Sequence, residues 1–165
     1  MTDMFLETVP DEAILRVFCV MAEAHWHTFQ ILTKRHERLV ALAPDLPWPP
    51  NVWMGVSIEN NRFVHRADYL RRVPAALRFL SCEPLLGPLP DLDLAGVQWV
   101  IVGGESGPRY RPLRLEWVRD LRDRAKAAGA AFFYKQGNGR RPGQDRVLDG
   151  RTWDELPALR SGAVR

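Results

Sequence analysis

Apolar residues recur along this chain at two spacings, one helical and one extended. Pro10, Asp11 and Glu12 open a helix, with Thr8 placed to cap it and acids in its first turn. Ile14, Leu15, Phe18 and Met21 then fall on one helical face. Residues 28–33 (TFQILT) are short and β-rich and predict a strand. Residues 37–43 predict a short helix, ended by the breaker-rich run PDLPWPP at 44–50. A second strand follows over 52–57 (VWMGVS). Asn60 or Asn61 caps a predicted helix over 62–73 that turns Phe63, Ala67, Leu70 and Val73 inward. The third strand is 77–82 (LRFLSC), and the Pro-rich stretch 84–96 reads as irregular. Residues 98–102 (QWVIV) are almost wholly apolar, the mark of a strand covered on both faces. Residues 115–128 predict a helix with Leu115, Val118, Leu121 and Ala125 on its inner face, stopped by Gly129. A fifth strand follows over 130–134, and the Asp149–Gly150 pair predicts a small hairpin.

Strands alternating with helices argue for a parallel α/β sheet with right-handed crossovers. Two architectures satisfy that pattern: an open doubly wound sheet, and part of a (β/α) barrel. At 165 residues the chain is too short for a closed eight-stranded barrel, which takes about 250. Residues 1–136 hold the five strands, and residues 137–165 form a Gly/Arg-rich tail.

In a parallel sheet all five strand ends share one rim, where α/β proteins place their sites. Each predicted strand here runs into polar residues. They are Thr33, Lys34 and Arg35, then Ser57, Glu59 and Asn60, then Ser81, Cys82 and Glu83, then Gly103, Gly104, Glu105 and Ser106, and finally Lys135 and Gln136. Glu59, Glu83 and Glu105 can form a carboxylate cluster neutralised by Lys34 and Lys135, able to do acid–base work or hold a cation. The same residues also suit an ion-pair network that orders the rim. Gly103 and Gly104 let the backbone turn sharply and approach a ligand. Cys82 is a candidate reactive thiol beside the lysines, or a core residue. His25 and His27 have no third ligand near them in sequence, so no metal site is expected.

Charge and cysteine count narrow the classes. The net charge is +3, but residues 1–105 carry −4 and residues 106–165 carry +7. A basic C-terminal third suits a nucleic-acid partner or another anionic one. Arginine outnumbers lysine 20 to 3, and a GC-rich coding sequence would produce the same excess. Two cysteines, Cys19 and Cys82, cannot supply an iron–sulfur cluster from three or four thiolates of one chain. No apolar run reaches membrane-spanning length and the first residues lack a signal pattern, so a cytoplasmic protein that does not enter membranes is expected.

Six motifs in order, FQILTKR at 29–35, VWMGVSIEN at 52–60, LRFLSCEPLLGP at 77–88, WVIVGGESGPRYRP at 99–112, FFYKQ at 132–136 and LDGRTWDELP at 148–157, give the chain a family likeness. It resembles a family of phage-encoded and bacterial proteins with a three-cysteine motif that look like radical S-adenosylmethionine enzymes. The resemblance implies the later part of a (β/α) barrel, with its first units missing. The full-length family implies S-adenosylmethionine and a [4Fe–4S] cluster, and no cofactor is expected for this chain alone. Glu59, Glu83, Glu105 and Lys135 would line the substrate mouth as catalytic residues. Gly103, Gly104, Glu105 and Ser106 would shape the cofactor approach. Lys34, Arg35, Ser57, Asn60, Cys82 and Gln136 would complete the rim. The expected partner is a polypeptide carrying the missing units, or a second copy. The alternative is a non-catalytic module that binds nucleic acid or a partner through the basic third.

Overall fold

The computed structural model describes residues 3–158. Five parallel strands form one sheet in the order β1 (Phe29–Thr33), β2 (Val52–Ser57), β3 (Leu77–Cys82), β4 (Trp99–Gly103) and β5 (Ala131–Gln136). All five predicted strands are present. The order follows the sequence and lacks the reversal that marks a switch point. Four helices flank the sheet: α1 (Asp11–Glu23), α2 (His36–Leu42), α3 (Arg66–Arg71) and α4 (Leu115–Ala127). No helix among the described residues is long and apolar enough to cross a membrane.

Side-chain alternation splits the sheet into two unlike faces. One face turns Met54, Val56, Leu80, Val100, Val102 and Phe132 into the main core, where the helices contribute Ile14, Phe18, Leu39, Leu70, Val118 and Leu121. The β3–β4 connection has no helix, and its Leu85, Leu89, Leu92 and Leu94 fill the same layer. The other face is a second cluster of strand residues alone: Trp53, Leu77, Phe79 and Trp99, with Leu32, Ile101 and Phe133 packed against them. Trp99 is its hub, with ring centroids 6.1 Å from Trp53, 5.8 Å from Phe79 and 6.0 Å from Phe133. Phe79 lies over Gly55, where a Cβ would come within 2.4 Å of its ring.

Several local expectations are corrected. Pro10 stands at the start of α1 with no side-chain cap, so Thr8 does not serve there. Leu15 and Leu115 are 40% and 42% exposed and do not join the inner faces of their helices. The helix expected over 62–73 is broken into a 3₁₀ turn at Asn61–Phe63 and the six-residue α3. Asn60 does cap that turn, its side chain accepting from the Arg62 amide.

Beyond β5, Val147–Leu148 (β6) and Arg151–Thr152 (β7) pair antiparallel around Asp149 and Gly150, both at positive φ. Trp153 to Glu155 then line the outer side of β5, where the Tyr134 amide donates to Trp153 O and the Glu155 amide to Phe132 O. That edge is therefore covered. Among the described residues, β1 pairs with β2 alone and its outer edge is open.

Candidate functional site at the carboxyl ends of the strands

The rim begins at β1. Lys34 forms an ion pair with Glu59, which also accepts from Arg66 Nη1 at 3.1 Å. The Glu59 side chain is 8% exposed and that of Arg66 11%. Arg66 also donates to Ser57 O at 2.7 Å and stacks on Phe63, its Cζ 4.1 Å from the ring centroid. Glu59 therefore balances two cations, one of them buried. Removing its charge would strand a guanidinium in the protein.

The second group is built differently. Glu83 accepts from Ser81 Oγ at 3.0 Å and pairs with Lys135 Nζ at 3.2 Å. Glu83 follows β3 and Lys135 lies in β5, with β4 between them. Gly103 makes that reach feasible, because a Cβ there would stand 2.7 Å from Glu83 Oε1. The β4–β5 register also shifts at Val102/Gly103, pairing Gly103 with Gln136 and leaving Lys135 as the extra residue. The Glu83 side chain is 19% exposed and that of Lys135 56%. Among the described residues no buried cation pairs with Glu83, and its side chain is partly open to solvent.

Glu105 stands apart. Both its oxygens accept from the Arg111 guanidinium at 2.9 Å, and Oε2 also accepts from the Arg111 amide at 2.8 Å. These bonds hold its carboxyl at about 2, well below the ordinary carboxylate range. Glu105 thus organises its own loop, and among the described residues its ion pair is with Arg111, whereas Lys34 and Lys135 pair with Glu59 and Glu83.

The remaining candidates have other surroundings. Cys82 points into the main core with no exposed surface, and burial pushes its thiol far up, beyond ordinary reactivity. Gly104 is closed by packing, since a Cβ there would meet the Gly137 carbonyl at 2.7 Å. Ser106 bridges to Gly139. Gln136 is 8% exposed and spends both ends of its amide on backbone, donating to Gly104 O and accepting from the Gly143 amide. Ser57 is buried, Asn60 is the cap described above, and Arg35 lies exposed beside Lys34. A cavity of about 390 Å³ opens there, lined by Lys34, Arg35, His36, Arg38 and Arg66 among others. Burial holds His36 below the ordinary histidine range.

Sequence reasoning missed Arg66, Arg111 and Asp3. Arg111 lies six residues from Glu105 and was open to local pairing. Asp3, which accepts from Thr33 Oγ1 and the Lys34 amide, is thirty residues away and gave no signal.

A second cavity, of about 1000 Å³, lies at the opposite end of the sheet. Two of its polar residues are tied to backbone carbonyls at and just after helices. Asn51 Nδ2 donates to the Met21, Ala24 and His27 carbonyls, and Arg78 donates twice to Val73 O. Two atoms there lack partners, Asn51 Oδ1 and Trp53 Nε1, and both are sealed from solvent.

Fold and rim together describe an α/β protein, a five-stranded parallel sheet flanked by helices with charged residues at the carboxyl ends of its strands. The chain belongs to the family described as "Protein of unknown function (DUF5131)", whose model matches residues 1–157. No curated protein and no solved structure matches it.

Proposed function

We propose that the carboxyl-end rim is the substrate mouth of an enzyme, on a sheet that forms the later part of a (β/α) barrel. The sequential strand order, the helices packed with one face and the strand-only aromatic layer on the other support that reading, since a barrel interior is lined by strands alone. The observation that carries the site is Glu83. It lies over a glycine, reaches Lys135 two strands away and is not needed to balance a buried charge. A carboxylate and an ammonium held side by side can orient a substrate with amino or hydroxyl groups and move a proton to or from it.

The family resemblance further suggests radical S-adenosylmethionine-like chemistry, with the reaction unassigned. The residues of this chain do not fit a [4Fe–4S] cluster. Cys19 is exposed on α1, Cys82 is sealed in the core, and no group of three metal-binding side chains exists among the described residues. Nor do Gly103 and Gly104 form an open cradle, since neighbouring atoms occupy the space beside both. No step through either group is derived. Anaerobic reconstitution of this chain should give less than one cluster per chain by iron and sulfide analysis.

The open edge of β1 supports a partner as well. It takes a further strand, from a polypeptide carrying preceding β/α units or from a second copy. Light scattering at micromolar concentration tests self-association, and a clean 18.9 kDa monomer speaks against the second copy.

The site itself is tested by thermal shift against a panel of amino acids, amino sugars and nucleosides. A compound that stabilises the wild type and not Glu83→Gln supports the mouth, provided both melt alike without ligand. A ligand-free melting loss of many degrees in Glu83→Gln would make the rim an ion-pair lattice.

A further inference from the structure

Two loops above β4 and β5 are tied into one surface. Asn138 is the knot: its Nδ2 donates to Arg111 O at 2.5 Å and to Glu105 O at 3.4 Å, and its Oδ1 accepts from the Leu113 amide. Ser106 bridges to Gly139, and the Gly107 amide donates to Gly139 O at 3.0 Å. Gln136 and Gln144 close the second loop on itself, through the Gly143, Gly137 and Arg141 amides. This bonding joins residues 104–114 to residues 136–144.

The joined surface is strongly basic. Arg111 is matched by Glu105, Arg114 by Glu116 and Arg146 by Asp154. Arg109, Arg140 and Arg141 are exposed, and no ion pair involves them among the described residues. Besides Glu105 these two loops hold no acid, and Asp145 directly follows the second. Tyr110, 42% exposed, lies between Arg109 and Arg111.

We propose that this surface binds a single-stranded nucleic acid. The arginines take its phosphates and Tyr110 stacks on a base. Three uncompensated guanidiniums form a phosphate footprint, because each can grip phosphate oxygens bidentately. An exposed aromatic ring on the same loop as Arg109 suits an unstacked base and offers an acidic peptide much less. The surface stands beside the rim but does not use Glu59, Glu83 or Lys135, so the proposal is independent of the mouth.

The test is fluorescence anisotropy with a labelled 20-nucleotide oligo-dT. Three phosphate contacts give a log–log salt slope of about −2 for a single strand, so affinity should fall roughly 20-fold between 50 and 200 mM salt. Arg109→Ala/Arg140→Ala/Arg141→Ala should abolish binding, and the corresponding Lys triple variant should keep the slope. Tyr110→Ala should weaken binding about tenfold at every salt concentration. Arg72→Ala, an exposed arginine after α3, should change nothing. Circular dichroism melts check that each variant folds. The proposal is overturned if the wild type shows no binding to 100 μM at about 50 mM salt. It is equally overturned if the Ala triple variant keeps the slope, or if polyglutamate displaces the label as well as unlabelled oligo-dT does. Failure of the substrate mouth would be read separately, from the Glu83→Gln melts.

Discussion

The two ends of the sheet are both polar, but they use their polar groups differently. At the amino end Asn51 donates to the Met21 carbonyl in the last turn of α1 and to the His27 carbonyl beyond it, and Arg78 donates to the Val73 carbonyl just after α3. That end has the larger cavity, yet its groups are occupied with holding helices in place. At the carboxyl end Glu83 and Lys135 meet across Gly103 with solvent beside them. Cavity volume alone would favour the amino end, whereas asking what each polar group already satisfies favours the carboxyl end proposed above. The carboxyl end is itself mixed, because Glu59 belongs with the structural groups through Arg66.

This contrast can be broken by substitution. The largest loss is expected from Glu59→Gln, which leaves the Arg66 guanidinium without a counter-charge. Chemical denaturation should register about 3 kcal/mol. Asn51→Ala comes next: carbonyls at the end of α1 lose their donor, at a cost of about 2 kcal/mol, and a loss near zero would mean that water replaces the amide. Glu83→Gln should cost under about 1 kcal/mol, since its partner Lys135 can return to solvent. Alkylation sharpens the core boundary without changing stability. Iodoacetamide should modify Cys19 in the folded protein and spare Cys82 until denaturant is added, as followed by mass spectrometry.

The smallest effect concerns pH. Arg111 holds Glu105 at about 2 in the folded chain, below its ordinary 4.5. A depressed carboxyl stabilises its loop above the ordinary value, and that contribution fades as pH falls from there through about 2. Carboxyl NMR should follow this titration, and Arg111→Ala should return Glu105 toward the ordinary range.

The strands were legible because apolar runs bounded by breakers leave few alternatives, and the hairpin because Asp–Gly at 149–150 accepts positive φ. The shared rim was legible too, since a parallel sheet brings successive strand ends together. What each rim residue does there was not. Glu59, Glu83 and Glu105 look alike in sequence. Their difference lies in Arg66, Gly103 and Arg111, whose positions depend on register and on loop paths. Gln136 read as a rim residue and Asn138 gave no signal, and only tertiary placement makes them knots between loops. The helix over 62–73 was overextended because periodicity does not register the 3₁₀ turn that Asn60 caps.

The central claim is that Glu83 is held for a ligand rather than for the fold. The ligand-free melting temperature of Glu83→Gln tests it most directly, measured beside Glu59→Gln. At about 2–4 °C per kcal/mol for a chain of this size, Glu83→Gln should melt within roughly 3 °C of wild type. Glu59→Gln should fall by about 6 °C or more. Equal, large losses in the two variants would make the rim a single structural lattice and contradict the account.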